Sequence, residues 1–152
     1  MREANQHTKI IFTLKPDEDG YPPVAFEGLW AEPLSNGHFR IDNIPFYVYG
    51  ISTGDEVEAK PNEHDKLHYH ALTRASGNST FRLFVADKNN RPKVRTRLAQ
   101  LGGRSEVDEQ AGLIAVEIPE KTNIYPVLDY LVKGRDSGEW DFEEAALRHA
   151  VK

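Results

Sequence analysis

The 152-residue chain contains no cysteine. This absence excludes disulfide bonds, a thiolate nucleophile and every zinc site that uses cysteine ligands. Apolar runs are short, for example LIAV at residues 113–116, whereas a membrane-spanning helix needs about 20 consecutive apolar residues. The opening segment, MREANQHTK, has no apolar stretch of the kind that a secretory signal requires. We therefore expect a cytoplasmic protein without a membrane anchor.

The net charge of −5 belongs to the first half of the chain. Residues 1–75 carry 7 Lys and Arg against 12 Asp and Glu, whereas residues 76–152 carry 12 of each. An acidic half repels nucleic-acid backbones and attracts basic partners. Solubility alone also explains such a bias, because acidic surfaces are common in soluble proteins.

The first half is predicted to form short strands. Apolar and polar residues alternate there, which is typical of half-buried strands. The predicted strands cover residues 8–14, 24–34, 38–42, 56–60 and 66–75. The dipeptide Asn36-Gly37 favours a two-residue type I′ hairpin turn, because both central residues of that turn need positive φ. Short strands with frequent turn signals predict a small antiparallel barrel or a strongly curled sheet.

The second half changes character, because helical periodicity joins the strand pattern. Strands are predicted at residues 79–86 and in a hairpin over residues 104–119, and helices at residues 91–101, 122–133 and 141–150. Ile124, Leu128, Leu131 and Val132 are expected on the inner face of the second helix. The order β-α-β-β-α resembles a ferredoxin-like unit without its last strand. The vacant place is open to a strand from the first half.

The predicted fold class is therefore α+β. A small curled antiparallel sheet or barrel is followed by a ferredoxin-like βαββα unit with an extra C-terminal helix. The two predicted lobes cover residues 1–75 and 76–152 and are expected to share one compact unit. Their boundary falls in the segment RASGNS, residues 74–79, where small and turn-forming residues cluster.

Histidines are concentrated in the segment HDKLHYH, residues 64–70, which holds three of the six in the chain. In a strand, His68 and His70 point to the same face, as two ligands of one zinc ion must. No HExxH motif supplies a third ligand. We expect a solvent-facing strip whose neighbours Leu67 and Tyr69 face the core. A metal-dependent enzyme around the HxH pair remains the third hypothesis, and no metal or cofactor is predicted.

The segment RPKVRTR and the arginine that follows it form the strongest basic feature of the sequence. Its basic residues are Arg91, Lys93, Arg95, Arg97 and Arg104. Such a helix is typical of phosphate or RNA contacts, although its charges are also explained as a solvated face that meets acids elsewhere. Ferredoxin-like sheets bind RNA through exposed aromatic residues, a pattern that STFRLFVA lacks. An RNA- or nucleotide-binding regulatory module is the second hypothesis.

Aromatic and acidic residues are concentrated in the first half, which favours a protein interface. Tyrosine and tryptophan are enriched among interface hot spots, and charge complementarity accelerates association. The candidate partner-binding residues are Asp17, Glu18, Asp19, Tyr21, Trp30, Tyr47, Tyr49, Asp55, Glu56 and Glu58. Core packing is expected to take some of the rings. Because neither a phosphate loop nor a GxSxG segment is present, we expect that the protein is not an enzyme.

Three segments carry a resemblance to a known family: DEDGYPPVAFEGLWAEPL, FRIDNIPFYVYGISTGDEVEA and SGNSTFRLF. They resemble the bacterial domain-of-unknown-function family 4265, and the resemblance runs from about Thr8 to Leu147. It implies no catalytic residue and no cofactor. Small, acidic, cysteine-free bacterial proteins often serve as immunity proteins that block a toxin, which is an analogy of type. The leading hypothesis is therefore an immunity protein that occludes the active site of a basic toxin domain, such as a nuclease.

Overall fold

The computed structural model describes residues 7–151 and divides the chain into two compact units, residues 1–76 and 77–152. We call them the barrel unit and the sheet unit. The described residues form nine strands, two α-helices and one 3₁₀ turn, so the α+β class is confirmed. The helices have 10 and 13 residues, and no helix between residues 7 and 151 is long and apolar enough to span a membrane.

Five strands of the barrel unit close into a barrel, as the alternation of apolar residues predicted. They are β1 Thr8–Thr13, β2 Phe26–Pro33, β3 Phe39–Ile41, β4 Glu56–Pro61 and β5 Leu67–Arg74. Neighbours in sequence pair antiparallel, and β1 closes the barrel through a parallel pairing of Ile11 with His68. Inward residues of β1 and β2, such as Phe12 and Leu29, alternate with outward ones and form the barrel core.

Three loops of the barrel unit share one hydrogen-bond pattern, at Asp17–Tyr21, Leu34–His38 and Asn62–Lys66. In each loop, the N–H of the first residue donates to the carbonyl of the fifth, and the N–H of the fourth residue donates to the carbonyl of the first. The fourth residues, Gly20, Gly37 and Asp65, have positive φ. This is the three-residue hairpin loop with a glycine-type bulge. The predicted type I′ turn is therefore wrong: Gly37 has positive φ but Asn36 does not.

The sheet unit contains a four-stranded antiparallel sheet with strand order β7-β8-β6-β9. Its elements are β6 Ser79–Phe84, the 3₁₀ turn Lys88–Asn90, α1 Arg91–Gln100, β7 Arg104–Asp108, β8 Leu113–Ile118, α2 Ile124–Asp136 and β9 Asp141–Ala146. Apart from the 3₁₀ turn, the order is β-α-β-β-α-β. The predicted helix α1 and the predicted hairpin of β7 and β8 are both present.

The predicted C-terminal helix at residues 141–150 is wrong, because residues 141–146 form the edge strand β9. Early acids resemble a helix N-terminus, but tertiary contacts override this local preference. Glu143 accepts a hydrogen bond from Arg82 Nε of β6 at 2.8 Å, and the Phe142 ring meets the Phe81 ring edge-on. The vacant place beside β6 is therefore filled by β9 and not by a strand of the barrel unit.

Both helices pack against the central strands of the sheet unit. Val94 and Leu98 of α1 are buried. On α2 the buried face is formed by Ile124, Val127 and Leu131, whereas the predicted inward residues Leu128 and Val132 are only partly buried. Ile124 and Leu131 are therefore buried as predicted, and Val127 lies on the buried face where Leu128 and Val132 were expected.

Gly134 marks a close contact between α2 and the segment that follows it. A Cβ atom at Gly134 would lie 1.9 Å from the Trp140 ring. The indole N–H of Trp140 donates to the Leu131 carbonyl at 3.0 Å, which holds the ring across this part of the helix. Only glycine allows the ring to approach the α2 backbone so closely.

We predict that Gly134→Ala destabilises the protein, although alanine is the better helix former. Overpacking against the Trp140 ring should cost about 1–3 kcal/mol, measured as a lower urea midpoint. Lys133→Ala is the matched control, because Lys133 is exposed and forms only an i,i+4 ion pair with Asp129. A midpoint that rises in Gly134→Ala would contradict the packing described here.

Candidate partner-binding site

Glu27 of β2 anchors the aromatic loop, which we define as residues 42–55 between β3 and β4. Its carboxylate accepts three consecutive backbone N–H groups, those of Phe46, Tyr47 and Val48, at 2.7, 3.0 and 2.9 Å. Val48 and Ile51 of this loop belong to the barrel core. The hydrogen bonds of the Glu27 side chain therefore fix the loop residues that enter the barrel core and the orientation of the loop's tyrosines.

Asp55 stabilises the end of the same loop. Its side chain is fully buried, and its carboxylate accepts the N–H groups of Ser52 at 2.8 Å and Ser76 at 2.9 Å. The prediction that Asp55 contacts a partner is therefore wrong, because a buried carboxylate bound to backbone is not available to another protein.

A cavity of about 450 Å³, the tyrosine pocket, lies where the aromatic loop meets β1 and β5. Its walls include Lys15, Pro22, Tyr47, Tyr49 and Tyr69. The Tyr69 ring is stacked on Phe12 with centroids 4.7 Å apart. Tyr49 is 54% exposed, so its ring is accessible at the surface of the pocket.

The acidic loop, Asp17–Tyr21, leads directly into the wall of the tyrosine pocket. Asp17 Oδ1 accepts the N–H groups of Asp19 and Tyr21 at 2.9 and 3.0 Å, so this carboxylate shapes the loop. The carboxylates of Glu18 and Asp19 are exposed. The Tyr21 ring meets Tyr47 edge-on with centroids 6.1 Å apart, which connects the acidic loop to the pocket.

The structure thus brings six of the ten predicted residues together, namely Asp17, Glu18, Asp19, Tyr21, Tyr47 and Tyr49. Trp30, Glu56 and Glu58 do not line the pocket. Trp30 lies on the outer face of β2 under Lys9 Nζ, 4.9 Å from the ring centroid. Glu56 Oε2 lies 3.7 Å from Arg40 Nη2. Glu58 lies on β4. Pro22 and Tyr69 were missed, because alternation predicts which face a residue occupies and not which cavity it borders.

The histidine-rich segment forms part of the turn between β4 and β5 and the first half of β5. Asn62 organises this turn, since its Oδ1 accepts the N–H groups of His64 and Lys66, and its Nδ2 lies 3.0 Å from His68 Nε2. Tyr69 and Leu67 pack against the core, as predicted. Between residues 7 and 151, no three His, Asp or Glu side chains converge to hold a metal ion.

One serine and one histidine of the sheet unit form a close hydrogen bond, Ser79 Oγ to His149 Nδ1 at 2.6 Å. Ser79 is fully buried and its Oγ also accepts the N–H groups of Arg148 and His149. His149 Nε2 lies 2.9 Å from the Pro119 carbonyl, so Nε2 carries the proton and Nδ1 accepts from the hydroxyl. This arrangement holds the segment after β9 in place and offers no accessible nucleophile.

The predicted basic residues lie on two sides of α1. Arg91 and Arg95, together with Arg104, line one cavity, whereas Lys93 and Arg97 line a second cavity that also contains residues of α2 and Trp140. In the second cavity, burial raises the pKa of the Tyr130 phenol, the Glu139 carboxylate raises it further, and Arg97 partly opposes the shift.

The fold and the site together define an α+β chain with a closed five-stranded barrel and a second antiparallel sheet. The chain belongs to the family described as a domain of unknown function (DUF4265), whose model matches residues 27–142. A crystal structure of a hypothetical protein from Neisseria gonorrhoeae is similar, with a TM-score of 0.79 and 20% identity. The match covers 97% of this chain and 100% of that one, and at this identity it shows the fold alone. No curated protein matches the chain.

We predict that Glu27→Ala destabilises the barrel unit, because three N–H groups lose a charged acceptor. The expected loss is about 3 kcal/mol of unfolding free energy, with faster hydrogen exchange at the amides of residues 46–48. Glu32→Ala is the control on the same strand, since Glu32 lies 3.8 Å from Arg40 at the surface and should cost less than about 1 kcal/mol. Equal losses in both variants would refute the anchoring role.

We predict that Tyr130 titrates above its ordinary pKa of 10.0, because burial and the Glu139 carboxylate raise that pKa. Between its ordinary pKa of 10.0 and the raised value, the folded chain binds this proton more tightly than the unfolded chain. Unfolding free energy should therefore be fully retained below that range and decrease as pH rises through it. Tyrosinate absorbance measures the titration. Tyr130→Phe should remove the titration step at the raised pKa, whereas Tyr125→Phe, on the exposed side of α2, should leave it unchanged.

Proposed function

We propose that this chain is a non-enzymatic, cytoplasmic protein-binding module. It holds a basic segment of a partner protein at the tyrosine pocket and the acidic loop. In its sharpest form it is an immunity protein that neutralises a toxin with a basic domain, such as a nuclease, by occluding the toxin's active site. The observation that carries the proposal is that the exposed Glu18 and Asp19 belong to the loop whose Tyr21 ring meets Tyr47, a residue of the tyrosine-lined cavity.

The two parts of the site are suited to different parts of the partner. Lys15 also lines the tyrosine pocket, so a second cation inside it would be repelled. We therefore expect the pocket to accept an apolar or aromatic side chain, packed between Tyr47 and Tyr49. The partner's lysines and arginines are expected to pair with Glu18 and Asp19 on the acidic loop, where complementary charge accelerates association.

Hydrogen bonds within the unit keep the proposed site in one arrangement before a partner binds. Glu27 fixes the backbone that carries Tyr47, and Asp17 fixes the acidic loop. Tyrosine side chains also have few rotatable bonds. A partner therefore loses less binding free energy to the ordering of this surface than it would on a mobile loop.

We infer that the sheet unit has the ferredoxin-like arrangement, which its β-α-β-β-α-β order and its strand order support. The side chains on the outer face of its central strands are the reason that we favour protein binding over RNA binding at this face. On the side of β6 and β8 opposite the helices, Arg82 and Glu117 are buried, and Phe84 is the exposed aromatic residue of β6. RNA recognition on such sheets uses several exposed rings.

The proposal is tested by isolating the partner from the native host and measuring its affinity for purified variants. Tyr49→Ala should weaken binding at least about tenfold, as hot-spot truncations do. The double variant Glu18→Lys, Asp19→Lys should lower the association rate and its salt dependence. Glu63→Lys, on the exposed turn between β4 and β5, is the matched charge control and should bind normally.

Toxin neutralisation is tested in cells. Deletion of the gene should make the host sensitive to the partner, and wild-type protein should restore resistance, whereas Tyr49→Ala should restore it poorly. A partner whose affinity is unchanged in both site variants would exclude the tyrosine pocket. A partner that is bound at this site but has no toxicity would exclude the immunity role while leaving protein binding intact.

A further inference from the structure

A second cavity of about 560 Å³ lies in the sheet unit between α1 and β7, far along the chain from the tyrosine pocket. We call it the arginine cavity, since three arginines line it, Arg91, Arg95 and Arg104. The hydroxyl-bearing residues Thr96 and Ser105 contribute further polar groups. Its volume falls in the range of small-molecule sites, about 300–1,000 Å³.

Arg91 is a fixed structural cation of this cavity. Its side chain is largely buried, and Nε donates to the Val85 carbonyl at 2.8 Å. Nη1 donates to Glu109 Oε1 at 2.9 Å, and Nη2 donates to the Ala86 carbonyl at 3.3 Å. Because these bonds use every nitrogen of the guanidinium, Arg91 contributes mainly position and charge, and Glu109 offsets that charge.

Arg95 is held in place by hydrogen bonds that use only some of its N–H donors. Its Nε donates to Ser105 Oγ at 3.0 Å, and its Nη2 donates to the Ser105 carbonyl at 2.9 Å. A guanidinium has five N–H donors, and neither of these bonds uses Nη1. Two neutral groups of one residue therefore fix the orientation of Arg95 without neutralising its charge.

Arg104 borders the cavity, but its guanidinium pairs with Glu117 on the face of the sheet that points away from α1. Its Nη2 lies 2.5 Å from Glu117 Oε2, while its side chain is 70% exposed. Two carboxylates oppose the charges of the three arginines. They are Glu109, which lines the cavity, and Glu117, which pairs with Arg104. One positive charge is therefore left over, and it is the charge of Arg95.

We propose that the arginine cavity binds the phosphate group of a small phosphate ester, at a site separate from the proposed partner-binding surface. Arg95 holds the phosphate oxygens through the N–H donors that its bonds to Ser105 do not use, since a guanidinium presents paired donors that match phosphate geometry. The organic part of the ester packs on the apolar wall, which is formed by Pro92, Ala99 and Val107.

The distribution of charge favours a small ligand over a nucleic-acid strand. Lys93 and Arg97, the other cations of α1, line a different cavity that also contains Glu139. The basic residues of the helix therefore do not form one continuous stripe along which a phosphodiester backbone would lie. The concentration of arginine in one cavity fits a single phosphate group.

The test uses the full-length chain with inorganic phosphate and adenosine 5′-monophosphate as probes, followed by NMR and calorimetry at low salt. Saturable binding in the millimolar range or tighter is expected, with shifts of the Arg95 Nε signal and the Ser105 amide. Arg95→Ala should weaken binding about tenfold. Arg97→Ala, which removes the same charge from the other side of α1, should change it less than about twofold.

Arg95→Lys separates ligand binding from folding, because lysine keeps the charge but lacks the paired donors. It should show weaker phosphate binding than the wild type, while its urea midpoint falls no further than that of Arg95→Ala. The proposal is overturned if neither probe saturates, or if Arg95→Ala and Arg97→Ala weaken binding equally. It is also overturned if a single-stranded RNA decamer binds more tightly than both probes and depends on both arginines, since that result indicates a nucleic-acid surface.

Discussion

Three backbone N–H groups converge on the carboxylate of Glu27, and the architecture of the barrel unit depends on this contact. A barrel of five short strands has a small interior, and part of its core comes from Val48 and Ile51 of the aromatic loop. Without an acceptor, the three N–H groups would need water, which would draw the loop away from the core. The same contact places Tyr47 and Tyr49 at the tyrosine pocket.

Charged side chains have two separate uses in this protein, and hydrogen bonds to the backbone distinguish them. Glu27, Asp17 and Asp55 bind backbone N–H groups and give the loops their form. Glu18 and Asp19 stay exposed and are available to a partner. The same two uses occur in the sheet unit. Arg91 donates to carbonyls and to Glu109, whereas Arg95 has N–H donors that its bonds to Ser105 do not use. The sequence alone gives each of these residues its charge but does not show which of the two uses it has.

Local sequence patterns predicted the secondary structure correctly where a residue and its near neighbours in the chain decide the conformation. Alternation predicted the strands of the barrel unit, and helical spacing of apolar residues predicted α1. Such patterns failed at residues 141–146, where the acids of β9 resemble a helix start. Glu143 meets Arg82, which is 61 positions earlier in the chain, and a contact at that separation leaves no trace in local propensity.

The sequence by itself determined the α+β class, the barrel strands and the family, because periodicity and short motifs are local properties. Only the tertiary structure decided which aromatic and charged residues act together. It buried Asp55, set Trp30 apart from the tyrosine pocket, and divided the cations of α1 between two cavities. Each of these outcomes depends on strand pairing and helix packing between distant segments, whose geometry no single stretch of sequence encodes.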